Sequence, residues 1–177
     1  MESRPKLPKL TPKPNHFKYG KKKTIYTQED SLMNFNAHYG TSLCLDEEMI
    51  DLTGLTKNVG YYLAKDLSRI KFDKCKKLLI TLPLVQLKEL TPKMPNLTYF
   101  GLIGCGFGRF FLKYHFFKTI EELDLTGNDI SKADSVLGVK NLTNLKILNL
   151  AGNPICYNEE EKTKLQNGLN NVKVVYS

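Results

Sequence analysis

Apolar positions recur along this chain with one spacing: three, two and then three residues apart, four times over. Leu67, Ile70, Phe72 and Cys75 show it first. Leu97, Phe100, Leu102 and Cys105 follow, then Ile120, Leu123, Leu125 and Asn128, then Leu145, Leu148, Leu150 and Asn153. Within each set two apolar side chains flank a polar or small one, the alternation of a short strand with one buried face. The pairs Ile70/Phe72, Phe100/Leu102, Leu123/Leu125 and Leu148/Leu150 are therefore expected on neighbouring strands with a shared core. An earlier strand is expected where Ile50 and Leu52 alternate, and a final one over Val172-Lys-Val-Val175. The residue closing each set lies where the chain turns away. Asn128 and Asn153 suit bonding of unpaired backbone groups there; Cys75 and Cys105 suit the same slot as small buried hydrophobes. The sets start at 67, 97, 120 and 145, so the first interval is 30 residues against 23 and 25. The long interval is expected to hold extra helix or loop over residues 79–96.

This L-x-x-L-x-L-x-x-[N/C] spacing resembles the leucine-rich repeat. Gly152-Asn-Pro-Ile-Cys156, a charged helix-capable stretch and the final strand resemble the C-terminal cap of intracellular leucine-rich repeat proteins. Glu159-Glu-Glu161 suits the first turn of a cap helix, where the helix dipole favours anions. The likeness covers residues 43–177. It extends to the phosphatase-regulator-like class and to the spliceosomal leucine-rich repeat protein that partners an RRM protein. It implies an α/β fold: a right-handed solenoid of about five repeats with caps, parallel strands lining its concave face. It says less about function, because such proteins share a scaffold and differ in what they hold.

With strands so placed, the centre of the concave face would carry Asp51, Lys71, Gly101, Asp124 and Asn149. Arg69/Asp73, Tyr99/Ile103, Glu122/Thr126 and Ile147/Ala151 would flank it. Tyr99, Ile103 and Ile147 give an apolar middle that suits a protein element, such as a helix laid into the groove. Glu122 and Asp124 would repel a phosphate backbone. Arg69, Lys71, Tyr99, Ile103, Glu122, Asp124, Ile147 and Asn149 are the expected protein contacts.

The length of 177 residues fits one domain over 25–177 and a tail over 1–24. No apolar run reaches membrane-spanning length and the N-terminus has no apolar signal core, so neither a span nor a secretory signal is expected. Cys44, Cys75, Cys105 and Cys156 lack the flanking cysteine clusters of secreted leucine-rich repeat proteins. They read as free thiols in a reducing compartment: the cytoplasm, with the nucleus as the alternative.

The net charge of +8 is unevenly spread. Residues 1–24 hold eight Lys/Arg against one acid, 25–56 hold six acids and no Lys/Arg, and 57–118 hold twelve Lys/Arg against three acids. Pro5, Pro8, Pro12 and Pro14 favour an extended tail. Arg4, Lys6, Lys9, Lys13, Lys18, Lys21, Lys22 and Lys23 space cations along it, with Phe17 and Tyr19 between them. Such a chain suits threading along phosphates while rings stack on unpaired bases, and it resembles the extensions of ribosomal proteins. A disordered or nuclear-targeting tail is the competing reading. Lys74, Lys76, Lys77, Arg109, Lys113 and Lys118 are further candidate phosphate contacts in the basic half. Most aromatics of residues 107–117 read as core, with Phe107 buried and Leu112 and Phe116 packed beneath the convex side.

No catalytic set emerges. His16, His38 and His115 are far apart in sequence and none has a metal-ligand partner at suitable spacing. The glycines at 101, 104, 106 and 108 do not match a phosphate-binding loop. No cofactor, metal or catalytic residue is expected. The expected function is a non-catalytic, ribosome-associated component of a ribonucleoprotein. Its tail and residues 57–118 would contact rRNA, its concave face a protein, and it would be a monomer within that assembly. The alternative is a protein-interaction adaptor of the phosphatase-regulator type.

Overall fold

A computed structural model describes residues 26–55, 62–82, 93–110 and 117–177. Six strands form one all-parallel sheet in strict chain order. They are β1 (Met49–Leu52), β2 (Lys77–Ile80), β3 (Tyr99–Leu102), β4 (Glu122–Asp124), β5 (Ile147–Asn149) and β6 (Lys173–Val175). Ile50, Leu78, Phe100, Leu123, Leu148 and Val174 stand in register across it. The first five of these are buried and Val174 packs against the core at its end. Leu52, Ile80, Leu102, Leu125 and Leu150 make the next buried layer. Full burial of such side chains contributes about 1.5–3 kcal/mol each, which is why the spacing controls the fold.

The strand expected over Ile70 and Phe72 is not in the sheet. Both side chains are buried, but the backbone there is committed elsewhere. The Lys71 amide donates to Gln28 Oε1 at 2.6 Å, and the Phe72 amide donates to the Lys93 carbonyl at 3.0 Å. β2 lies five residues further on, with Leu78 and Ile80 facing the core. Cys75 thus opens this set instead of closing it, and the intervals from 75 to 97 and 97 to 120 are 22 and 23 residues. The long first interval was a register error of eight residues. Residues 83–92, where an extra helix or loop was expected, lie outside the described residues.

An apolar residue three before each set explains the choice. Phe72, Met94, Phe117 and Leu142 are buried, and their carbonyls accept from the amides of Cys75, Leu97, Ile120 and Leu145 at 3.0–3.4 Å. Asn96 and Asn144 side chains tie successive turns by donating to the carbonyls of Asp73 and Lys118. Of the two competing registers, Cys75–Ile80 is the one with both this turn and strand pairing.

Helix α1 (Gln28–Tyr39) begins at a capping box between Thr27 and Asp30 and ends at Gly40, whose φ of +66° favours glycine. It buries Phe35 and contacts α2 (Leu63–Leu67). At the other end, α3 (Glu159–Gly168) starts at Asn158, with Glu159, Glu160 and Glu161 in its first turn, and buries Leu165. Glu161 accepts from the Ala133 amide at 2.7 Å, and Lys164 pairs with Asp134 at 2.7 Å, fastening α3 to the 3-10 turn Ala133–Ser135.

The bends after the strands carry a polar ladder. Asn153, fully buried, donates to the Leu125 and Leu150 carbonyls and accepts from the Ile130 amide. Asn128 donates to the Leu102 and Leu125 carbonyls and accepts from the Cys105 amide. Cys105 continues the series, its sulfur accepting from the Leu82 amide at 3.3 Å. Cys75 does not; its thiol donates to the nearby Lys77 carbonyl. Just before the ladder residues, Gly104, Gly127 and Gly152 adopt positive φ and stack closely. Side chains there would strain the bend.

Candidate docking face

One face of the sheet is turned away from the core. Its first row, in register, is Met49, Lys77, Tyr99, Glu122, Ile147 and Lys173. Its second row is Asp51, Leu79, Gly101, Asp124, Asn149 and Val175. Ile103 lies just past β3 and is half-buried. An apolar patch on it is formed by Leu79, Gly101 and Ile103. Leu79 leans across Gly101 so closely that a Cβ added there would lie 2.5 Å from Leu79 Cδ2.

Tyr99 is the best-fixed side chain of the face. Its hydroxyl donates to Asp124 Oδ2 at 2.6 Å, and Lys77 Nζ sits 4.0 Å from its ring centroid. Burial, then the bond to Asp124 and the charges of Asp124 and Glu122, push its phenol above the ordinary tyrosine range. Asp124 is only 8% exposed, and its other oxygen accepts from the Thr126 amide at 2.9 Å and from the Thr126 hydroxyl. Its carboxylate is therefore occupied within the fold. Asp124 positions Tyr99 and the strand end; it is not a free contact.

The same turn recurs. Asp51 accepts from the Thr53 amide and hydroxyl, and Asn149 accepts from the Ala151 amide at 3.0 Å. The Asp-Leu-Thr string at 51–53 and 124–126 was a legible signal for it.

Of the expected protein contacts, Tyr99, Ile103, Glu122, Asp124, Ile147 and Asn149 come together on this face. Arg69, Lys71 and Asp73 do not, because their segment is not part of the sheet. Arg69 pairs with Asp66 at 3.4 Å, and Lys71 with Asp73 at 2.8 Å. Tyr39 also donates to Asp66, and burial with that bond pushes its phenol upward. Lys77, an expected RNA contact, lies on this outward face with Leu79 and Met49, a place that the eight-residue slip had hidden for Lys77 and Leu79.

The other expected RNA contacts divide. Lys74 pairs with Asp46 at 3.5 Å and Lys76 with Glu48 at 3.1 Å. Arg109 and Lys118 are exposed. Phe107, Phe110 and Phe117 are buried, with Phe100 and Phe117 stacked at 4.8 Å. Arg4, Lys6, Lys9, Lys13, Phe17, Lys18, Tyr19, Lys21, Lys22, Lys23 and Lys113 lie outside the described residues, as do His16, Leu112, His115 and Phe116.

Among the described residues no three His, Cys, Asp or Glu side chains are grouped to hold a metal ion. No helix among them is long and apolar enough to cross a membrane. No protein-family model and no curated protein matches this chain.

Proposed function

We propose that this chain is a non-catalytic protein of the leucine-rich repeat kind, a capped solenoid whose outward sheet face docks a segment of another protein. The observation that carries this reading is the outward face of the sheet. Tyr99 is pinned by Asp124 between Lys77 and Glu122 of its own row, an aromatic anchor fixed in advance beside the apolar patch where Leu79 and Ile103 close over Gly101. A fixed aromatic loses little freedom on binding, which suits recognition more than turnover. The test is a photo-crosslinking residue in place of Ile103, compared with one in place of the exposed Tyr157. A protein adduct specific to position 103 supports the reading. Equal labelling at both positions counts against it.

A second reading places the module in a ribonucleoprotein, ribosome-associated, with RNA held by the tail. The net +7 of residues 1–24 favours it. The acids beside Lys74 and Lys76 weaken the case for the basic half. Deleting residues 1–24 should make the salt dependence of RNA binding shallower by roughly 0.7 in log–log slope for each lost phosphate contact to single strands. An unaltered slope would leave the adaptor reading alone.

A further inference from the structure

Glu122 is the unspent charge of the docking face. It is half-buried between Tyr99 on β3 and Ile147 on β5. Its backbone amide is used by the Thr98 carbonyl, but its carboxylate has no hydrogen-bond or ion-pair partner among the described residues. The neighbouring acids are otherwise engaged. Asp124 is bound by Tyr99 and Thr126, and Glu121 pairs with Lys146 at 2.8 Å. The two cations of the same row, Lys77 and Lys173, each lie two strands away, Lys77 over the Tyr99 ring. A carboxylate on a half-buried residue with no partner beside it is one that a bound cation could pair with.

The row also has a period. Adjacent strands are about 4.8 Å apart, so Tyr99, Glu122 and Ile147 span about 9.6 Å. An α-helix rises about 1.5 Å per residue, so positions three or four apart match one strand step and seven apart match two.

Resting on the docking reading above, we infer that the occupant is an amphipathic helix of a partner protein. It carries an arginine or lysine over Glu122 and an apolar side chain one turn away on each side, over Tyr99 and Ile147. Charge complementarity at Glu122 selects the cation, and the apolar flanks select the anchors. Asp124 acts as a positioning residue by holding Tyr99 in place.

The test is panning of a displayed library of single helices, randomised on one face, against the full chain. Recovered helices should share a cation flanked by apolar residues at i−3 or i−4 and i+3 or i+4. Their affinity should fall about tenfold on Glu122→Gln. Glu122→Lys should abolish binding, and exchanging the helix cation for glutamate should restore it to that variant. Circular dichroism of both variants checks the fold. Helices that are blocked by Ile103→Arg yet indifferent to Glu122→Gln would overturn this inference and leave the docking reading intact. No helix recovered would overturn this inference alone, and helices indifferent to both variants would overturn both. A helix whose affinity rises sharply when residues 1–24 are removed would make the chain's own basic segment the occupant and overturn the external partner.

Discussion

The two halves of the sheet close the same bend with different chemistry. After β4 and β5 the bends are held by Asn128 and Asn153, each donating to two carbonyls from adjoining turns and accepting an amide. After β3 the bend has Cys105, whose sulfur accepts one amide at 3.3 Å and reaches two carbonyls at 3.7 and 3.9 Å. A carboxamide presents donors and acceptor together; a thiol presents a weak version of each. The C-terminal half is therefore cross-linked by buried hydrogen bonds, while the N-terminal half depends more on apolar packing.

The sharpest way to break this contrast is Asn153→Ala. It leaves the Leu125 and Leu150 carbonyls and the Ile130 amide short of partners at a fully buried site. It should cost about 3 kcal/mol, read by urea denaturation. A loss no greater than that of Cys105→Ala, expected near 1 kcal/mol, would erase the difference between the halves.

The Asp-x-Thr turn offers the same comparison at the strand ends. Asp124 is buried and holds Tyr99 as well as Thr126; Asp51 makes the same turn in solvent. Asp124→Ala should cost about 2 kcal/mol and Asp51→Ala about 0.5 kcal/mol. The phenol of Tyr99 should also return toward the ordinary tyrosine range in Asp124→Ala, visible in an ultraviolet titration.

The contrast bears on what could be read from the chain alone. Where the closing residue is Asn, as at 128 and 153, the set has one possible register, because a buried carboxamide needs the bend. At Cys75, which can close one set or open the next, two registers compete. Leu67-x-x-Ile-x-Phe-x-x-Cys75 and Cys75-x-x-Leu-x-Ile80 both satisfy the apolar spacing. The turn from Phe72 to Cys75 and the pairing with β1 and β3 decide between them. The pairing contacts reach across 22 or more residues, which a local pattern does not contain. The slip then misplaced the face, putting Arg69 and Lys71 on it and leaving out Lys77 and Leu79. The charge blocks misled in a related way. Two of the six acids of 25–56 meet cations that follow them, Asp46 with Lys74 and Glu48 with Lys76.

Cys105→Asn should sharpen the contrast by removing it. The Leu82 amide and the Ile80 carbonyl already face the sulfur. A carboxamide there would extend the ladder by one turn and should stabilise the chain by about 1 kcal/mol. Destabilisation would mean that the N-terminal bend is too tight for it.

Thiol chemistry separates the two cysteines that the spacing treated alike. Burial pushes the Cys75 thiol up to about 11, and burial raises Cys105 as well. Because the folded state holds the Cys75 proton more tightly than the unfolded chain, its contribution to stability is complete below the ordinary thiol range and fades as pH rises toward about 11. Exposed Cys44 should react first with a bulky thiol reagent and Cys75 last, followed by mass spectrometry of the native protein.

The smallest effect concerns the outer edge, where the two halves agree. Glu48 pairs with Lys76 in the first half and Glu121 with Lys146 in the second, at 3.1 and 2.8 Å. The lysine side chains are 61% and 67% exposed, so neither pair holds desolvated charge. Each is worth at most about 0.5 kcal/mol, because water and salt screen the attraction and two long side chains must be ordered. Lys76→Ala and Lys146→Ala should therefore lower stability equally and slightly, and high salt should remove even that. The same screening bears on RNA. Lys74 and Lys76 stand beside Asp46 and Glu48, so the patch has no net charge with which to condense a phosphate backbone. Lys74→Ala with Lys76→Ala should leave the salt slope of RNA binding unchanged, whereas deletion of residues 1–24 should lower it. A slope that falls by roughly 1.4 in the double variant would assign two single-strand phosphate contacts to this edge and restore the basic half as an RNA surface.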